Sequence, residues 1–539
     1  NSIFAQVATF AGIGIFGPGQ RTMTTAGFAK LRDAEVQAAP LHTTSYEPLV
    51  RELRATFHSG KTKDLQWRRA QLEALKKMIE ESHEDITAAV RADHSGPKLR
   101  GIGELGAHLG AVEALQNLDQ WTAPQVVPTP MTVSPTKMGK SFVRQEPKGV
   151  VLLIGPWNFP IELVLHPLVS AIAAGNCVVI KPSEVSSNCA VLLEQLISKY
   201  LDTSCIKVVQ GAVAETTALL KEHWDHIFYT GNGHVGRIVL KAAAEHLTPV
   251  TLELGGKSPV IVDKSAKMKS VIERVSTAKF SMNVGQICVA PDYVVIHKDR
   301  EQEFIQGMKQ HIENLFGKDV KQSPHFGRII NANHVRRISG LLSETQGEVV
   351  VGGMDTIDAD SKFIPPTIVK DAQLGEPLLT EEIFGPVLPV VATTSIEDAV
   401  EKVNHVCDQP LALYVFSEDK TATDYVLGNT TSGGACINTS LEHLLNNNLP
   451  FGGVGSSGYG SYHGKAGFDE FTHRRSVLHQ DTMIMKGSSL PPKPSDKIYD
   501  IAVKATITGF LTDSQRTMMK MGLGVGALAA AGMMFRSKL

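Results

Sequence analysis

The sequence predicts an α/β protein: a doubly wound parallel-sheet domain, a second α/β domain and a small bridging element. Three observations predict it. Between Val150 and Leu254, short apolar runs alternate with segments of helical period. Turns rich in Gly, Pro and Asn close those runs, and after Leu254 the alternation resumes with a second set of strands and helices. Strand–helix alternation of this kind indicates a parallel sheet covered by helices.

The elements follow in order. From Thr62 to Val90 the residues Trp67, Leu72, Leu75 and Ile79 recur at helical spacing, with Lys and Glu on the other face. Val150–Ile154, Val178–Ile180, Ile206–Val209, His226–Tyr229 and Thr251–Leu254 are short, largely apolar runs and read as buried parallel strands. Glu162–Ala174, Ala190–Tyr200, Glu215–Lys221 and Val235–His246 read as the helices between them. Sheets so built bind ligands at the carboxyl ends of their strands. The second alternation has strands at Val260–Val262, Tyr293–Ile296, Val387–Val391, Leu411–Phe416 and Ala435–Asn438. Its helices are Met268–Phe280, Gln302–Phe316 and Ile396–Asn404. The expected domains are 46–254 with a bridging segment at 121–145, then 255–436, then a second bridging segment at 437–487.

Composition narrows the function. The 539 residues carry 53 basic and 55 acidic side chains, a net charge of −2, which argues against a nucleic-acid binder held by a basic field. An apolar content of 42% excludes disorder as the main state. The six cysteines form no CxxC pair and show no metal-type spacing with His, so a reducing compartment, no bound metal and a free reactive thiol are expected.

Both ends stand apart. Residues 1–45 read as an N-terminal extension: Ile3–Phe16 is apolar but lacks the basic region of a signal peptide, and Met23 is a plausible natural start. Residues 488–539 comprise a stiff linker, Leu490-Pro491-Pro492-Lys493-Pro494, and an uncharged stretch, Met521–Phe535. As a helix that stretch would run roughly 22 Å against about 30 Å of hydrocarbon. With Lys520 snorkelling and a Gly522/Gly526 pair, it raises the expectation of a membrane-associated chain. The terminal Ser537-Lys538-Leu539 matches the peroxisomal address and competes with that expectation.

Six motifs could carry chemistry. Gly155-Pro156-Trp157-Asn158-Phe159-Pro160 follows the first strand, and its prolines stiffen a loop that presents Asn158. A rigid amide there suits an oxyanion; alone, it is an ordinary turn residue. Lys181-Pro182-Ser183-Glu184 ends the second strand, where an acidic side chain in a dinucleotide fold binds a ribose and disfavours a ribose phosphate. Thr230-Gly231-Asn232-Gly233-His234-Val235-Gly236 opens a helix whose amides could face a pyrophosphate, though it also fits a plain turn. Glu253 lies inside an apolar strand, so it is either a candidate base or the partner of Lys257. Cys288, 35 residues on, follows Gly285 and is the candidate nucleophile, whereas Cys177 and Cys436 border or lie in apolar strands and look structural. Glu382 and Phe384 precede a Gly-Pro turn, offering a carboxylate and a ring for a ribose and a flat heterocycle.

Taken together in this order, the motifs PWNFP (156–160), KPSE (181–184), TG (230–231), LELGGKSP (252–259), GQICVAPDY (285–293) and EEIFGP (381–386) resemble those of the aldehyde dehydrogenase superfamily. The resemblance runs from about Tyr46 to Ser476. Phe57–Thr62, His246–Val250, Leu449–Gly458 and Gly460–Lys465 make it similar to the class 3, fatty-aldehyde branch. It implies a Rossmann-like cofactor domain, a catalytic domain and an oligomerisation element. It also implies that Cys288 attacks the aldehyde, that Asn158 and the Cys288 amide hold the oxyanion, and that Glu253 activates water. The cofactor would be NAD, with NADP less favoured. Lys181 and Glu184 would take the adenosine ribose, Thr230, Gly231 and Gly236 the pyrophosphate, Glu382 the nicotinamide ribose and Phe384 the ring.

The branch and the tail favour a medium- to long-chain or otherwise lipophilic aldehyde, apocarotenoid aldehydes included. A homodimer is expected, bridged by Val126–Pro135 and Ile437–Ser476. One departure is Asn232, where many relatives carry Ser after TG. The alternatives are a soluble aromatic-aldehyde enzyme and a non-catalytic, membrane-tethered scaffold.

Overall fold

The computed structural model describes residues 45–130 and 139–480, with Asp496 and Asp500. Sixteen strands are described: β1 Gln125–Val127, β2 Lys140–Pro147, β3 Val150–Ile154, β4 Cys177–Lys181, β5 Ile206–Val208, β6 His226–Thr230, β7 Val250–Glu253, β8 Pro259–Val262, β9 Tyr293–His297, β10 Glu348–Val351, β11 Thr367–Lys370, β12 Val387–Thr393, β13 Ala412–Phe416, β14 Gly434–Ile437, β15 Gly458–Tyr459 and β16 Thr472–His479. They form a six-stranded sheet, a seven-stranded sheet and a three-stranded sheet of order β1–β2–β16.

The six-stranded sheet has the order β15–β7–β6–β3–β4–β5. Its first strand, β3, pairs in parallel with both β4 and β6, so the winding direction reverses beside it. Every residue of β3, β4 and β6 is buried, which explains why these runs carry no polar alternation. The helices Glu162–Ala174, Ser187–Tyr200, Val213–Leu219 and Gly233–Ala244 connect its strands. The first of these has the bounds expected, because Gly175 at φ +91° ends it. The first long helix, Leu65–His94, starts later than its pattern suggested, because Asp64 Oδ1 caps the Gln66 amide at 2.9 Å.

The seven-stranded sheet has the order β10–β11–β12–β9–β8–β13–β14, antiparallel only at β10. The chain passes from one sheet to the other between Glu253 and Pro259. The expected helix Met268–Phe280 ends at Ser276 and continues as a π turn, Thr277–Ser281.

Two units can be distinguished. The larger, Asn1–Val126 with Phe142–Val477, contains both large sheets. In the smaller, Val127–Ser141 with Leu478–Leu539, Thr129 Oγ1 donates to Ser141 Oγ at 2.8 Å.

The expectation of a membrane-associated chain is corrected. Among the described residues, no helix is long and apolar enough to cross a membrane. The features that raised it, Met521–Phe535 and Ser537-Lys538-Leu539, lie outside the described residues, as do residues 1–44.

Candidate active site

The expected site residues converge between the carboxyl ends of β3, β4, β6 and β7 and the loops that enter β8, β9 and β12. The first set follows the rule for doubly wound sheets. The second set sits at the amino ends of its strands, so this site joins opposite edges of two sheets.

Asn158 is buried after β3, and its Nδ2 donates to the Gln286 carbonyl at 3.1 Å. Its own carbonyl accepts from Arg100 Nη2 at 2.6 Å and from Asn283 Nδ2 at 3.0 Å. Arg100 also pairs with fully buried Glu104 at 3.0 Å, and Glu104 Oε2 accepts the Ile161 and Glu162 amides. The Asn158 loop is thus tied directly to the Cys288 loop. Sequence reasoning missed Arg100 and Glu104, for which their i,i+4 spacing was the one available signal.

The Cys288 loop is held in an uncommon conformation. Asn283, Val284 and Gly285 have φ of +49°, +46° and +78° in succession. A β-branched residue in that region is strained, and such strain persists where surrounding contacts over-determine it. Here Gln286 supplies them: it donates to the Asn283 and Arg328 carbonyls and accepts the Ile330 amide at 2.9 Å. A Cβ on Gly285 would collide with the carbonyls of Gly385 and Lys279, so three segments meet at that glycine.

Cys288 itself is half-buried, and its thiol is pushed up to about 12, first by burial and then by the charges of Glu382 and Glu253. It therefore rests as a neutral thiol. Of the other cysteines, Cys177 and Cys436 are buried, as expected of structural residues.

Glu253 ends β7 and is fully buried. Burial, with Glu470 nearby, lifts its carboxyl well above the usual range. Neither oxygen has a hydrogen-bond partner among the described residues. Lys257, the alternative partner, pairs instead with Asp292 at 2.7 Å. An orphaned buried carboxyl next to a thiol is poised to take a proton rather than to brace the fold.

The cofactor-type residues fall into three groups. Lys181 is buried at the end of β4, where its Nζ donates to the Pro182 carbonyl at 2.6 Å and to Glu184 Oε2 at 3.2 Å. Thr230 ends β6 with its hydroxyl buried and without a hydrogen-bond partner among the described residues, next to the start of the helix Gly233–Ala244. Asn232 caps that helix, its Oδ1 accepting the Val235 amide at 3.0 Å, a role Ser fills equally well. Gly231 lies against the Tyr229 ring. Gly236 faces inward against Leu252 and Leu254, so its visible role is close packing of helix on sheet.

The third group enters β12. Glu382 is pushed up to about 8 by burial and then by the Asp292 charge. Arg337, unforeseen from the sequence, donates to the Glu382 and Ile383 carbonyls at 3.0 and 2.6 Å. Phe384 has φ +50° and packs edge-on against Trp157, ring centres 5.4 Å apart. The Thr230 hydroxyl, the Lys181–Glu184 pair and the half-buried Glu382 carboxyl offer the donors and acceptors that a dinucleotide requires. Among the described residues, no cluster of three or more His, Cys, Asp or Glu is arranged for a metal.

Comparison with known proteins gives one consistent answer. The model of the aldehyde dehydrogenase family matches residues 34–477. The chain is 42% identical over 441 residues to the 4,4'-diaponeurosporen-aldehyde dehydrogenase of Staphylococcus aureus, covering 81% of this chain and 95% of that one. It is also 42% identical over 459 residues to aldehyde dehydrogenase family 3 member A2 of Rattus norvegicus, covering 84% and 92%. The dimeric NADP-preferring aldehyde dehydrogenase of the same species is 42% identical over 456 residues, covering 84% and 99%. Among solved structures, the substrate-bound state of Staphylococcus aureus AldH superposes with a TM-score of 0.79 at 40% identity, covering 85% and 98%.

Proposed function

This chain belongs to the aldehyde dehydrogenase family and oxidises an aldehyde with a nicotinamide cofactor, and we propose that Cys288 is its nucleophile, Glu253 its general base and Asn158 its oxyanion amide. The observation that carries this reading is the orphaned Glu253 carboxyl beside the Cys288 thiol, in a loop tied to Asn158. The Cys288 sulfur adds to the aldehyde carbon, its proton leaving to a neighbouring base, and the Asn158 amide and Cys288 backbone N–H hold the new oxyanion. A bound nicotinamide would supply the hydride acceptor. Collapse of the oxyanion, with the carbon-bound hydrogen leaving as hydride, leaves a thioester on Cys288. Glu253 then takes a proton from water, whose oxygen attacks the thioester carbon and releases the acid.

Lys181, Glu184, Thr230 and Gly231 would hold the adenosine and phosphate end, and Glu382 and Phe384 the nicotinamide end. We infer NAD as the preferred cofactor, because the Glu184 carboxylate repels a ribose phosphate. The substrate in this reading is a medium- to long-chain or other lipophilic aldehyde. Support comes from the buried Tyr462 ring, which lies within electrostatic reach of Glu253 and Cys288, and from Phe451 packed on it at 5.5 Å. An apocarotenoid aldehyde is the second reading, favoured by the name of the Staphylococcus relative. Residues 46–254 would form the cofactor domain and 255–436 the catalytic domain. A homodimer is supported by the edge strand β14, with Ala435 and Ile437 exposed.

The test is cofactor reduction across aldehydes from benzaldehyde to long-chain alkanals, with Cys288→Ala as blank. Catalytic efficiency rising with chain length supports the proposal. A peak at benzaldehyde would make this an aromatic-aldehyde enzyme.

A further inference from the structure

A buried charge cluster lies between the two loops that meet at the active site. Lys257 Nζ is 2.7 Å from Asp292 Oδ2, and Lys279 Nζ is 3.3 Å from Asp292 Oδ1. All three side chains are at most 5% exposed. Against the upward pull of burial, the two lysines hold the Asp292 carboxyl below its usual range. Two cations sharing one carboxylate deep in a protein cost more than a neutral pair, so the fold alone gives little reason for the second lysine.

The placement supplies a reason. Lys279 is in the π turn before Cys288, and Asp292 is four residues after it. Both Asp292 oxygens lie 3.3 Å from the Ile383 amide, next to Glu382. Lys257 also donates to the Leu378 carbonyl at 2.6 Å, anchoring the same segment from its other end. The Lys279 carbonyl itself packs against Gly285, beside Gly385. The remaining charged groups facing the segment are Arg337, on its carbonyls, and Glu381.

We propose that Lys279 is a positioning residue that, with Lys257, fixes Asp292 on the Ile383 amide and so holds Glu382 in place for the cofactor ribose. This rests on the assignment of Glu382 to the cofactor. Losing the Lys279 charge frees Asp292 to turn toward Lys257, and the 382–385 segment shifts away from Gly255. The nucleophile stays, because Gln286 and Asn158 hold its loop.

The test is a double-mutant cycle on Lys279→Met and Glu382→Gln, read as KM for NAD, KM for aldehyde and kcat. Lys279→Met is expected to raise KM for NAD about tenfold, with KM for aldehyde unchanged and kcat within about threefold. The double variant is expected to be no worse than Glu382→Gln alone, since one residue acts through the other. Asp292→Ala, which removes the acceptor of the Ile383 amide, should give the same split and serves if Lys279→Met fails to fold. Additive losses, or a lower melting temperature with unchanged KM for NAD, would overturn the role of Lys279. A Glu382→Gln variant with wild-type KM for NAD would instead overturn the assignment of Glu382 and the proposal with it.

Discussion

Gly255 lies directly against the carboxylate of Glu382: a Cβ at this position would overlap both carboxylate oxygens. The chain between β7 and β8 thus has to be bare at that point for a half-buried acid from the loop entering β12 to come alongside. Gly255→Ala must push Glu382 away while leaving Glu253, two residues earlier, in its strand. The expected result is an NAD dissociation constant raised tenfold or more, with the rate of Cys288 alkylation by iodoacetamide, which needs no cofactor, within about threefold. Calorimetric titration of the variant with NAD checks it.

Asn158 is anchored through its carbonyl and, in the proposed reaction, acts through its amide, and the two separate by substitution. Its carbonyl contacts with Arg100 and Asn283 survive in Asn158→Ala, while the amide is lost. Turnover should fall by about 10²–10³ with little change in KM, as for other single oxyanion donors. A loss confined to KM would assign Asn158 to ground-state binding instead.

With its thiol near 12, Cys288 should show no ionised plateau in the neutral range when cofactor is absent. Raising pH increases the thiolate fraction, so alkylation by iodoacetamide should quicken about 100-fold between pH 7 and pH 9. A rate that levels off near pH 7 would mean that another group activates the sulfur in the free enzyme.

Glu184 is nearly half exposed and its charge is shared with Lys181. Replacing it by Gln removes the repulsion toward a ribose phosphate and frees the lysine. The ratio of kcat/KM for NADP to that for NAD should rise about tenfold. An unchanged ratio would place cofactor choice elsewhere, a live question given the NADP-preferring relative.

Much of this was legible because buried parallel strands and the turns that end them leave a strong pattern. Val150–Ile154 and Glu162–Ala174 sit where apolar runs and a glycine stop place them. β10 went unread because it is a short strand at the sheet edge with two exposed residues, and β11 because its apolar run is only Ile368 and Val369. Asn158, Glu253 and Cys288 were visible as unusual chemistry in rigid or apolar settings. The strained backbone at Val284, the Arg100–Glu104 pair and the Lys257–Lys279–Asp292 cluster were not. Each depends on contacts between segments far apart in the chain, and local pattern carries no trace of which distant carboxylate a lysine will meet. Lys257 shows the limit: four residues from Glu253, it pairs with Asp292.

The central claim is that Glu253 deacylates a thioester on Cys288, and a trapped acyl-enzyme tests it most directly. Glu253→Gln, mixed with NAD and a long-chain aldehyde and quenched in acid, should gain the mass of one acyl group. Peptide mapping should place that group on Cys288, with about one NADH released per subunit before turnover stalls. NADH release without an adduct, or an acyl group on any other cysteine, would contradict the account.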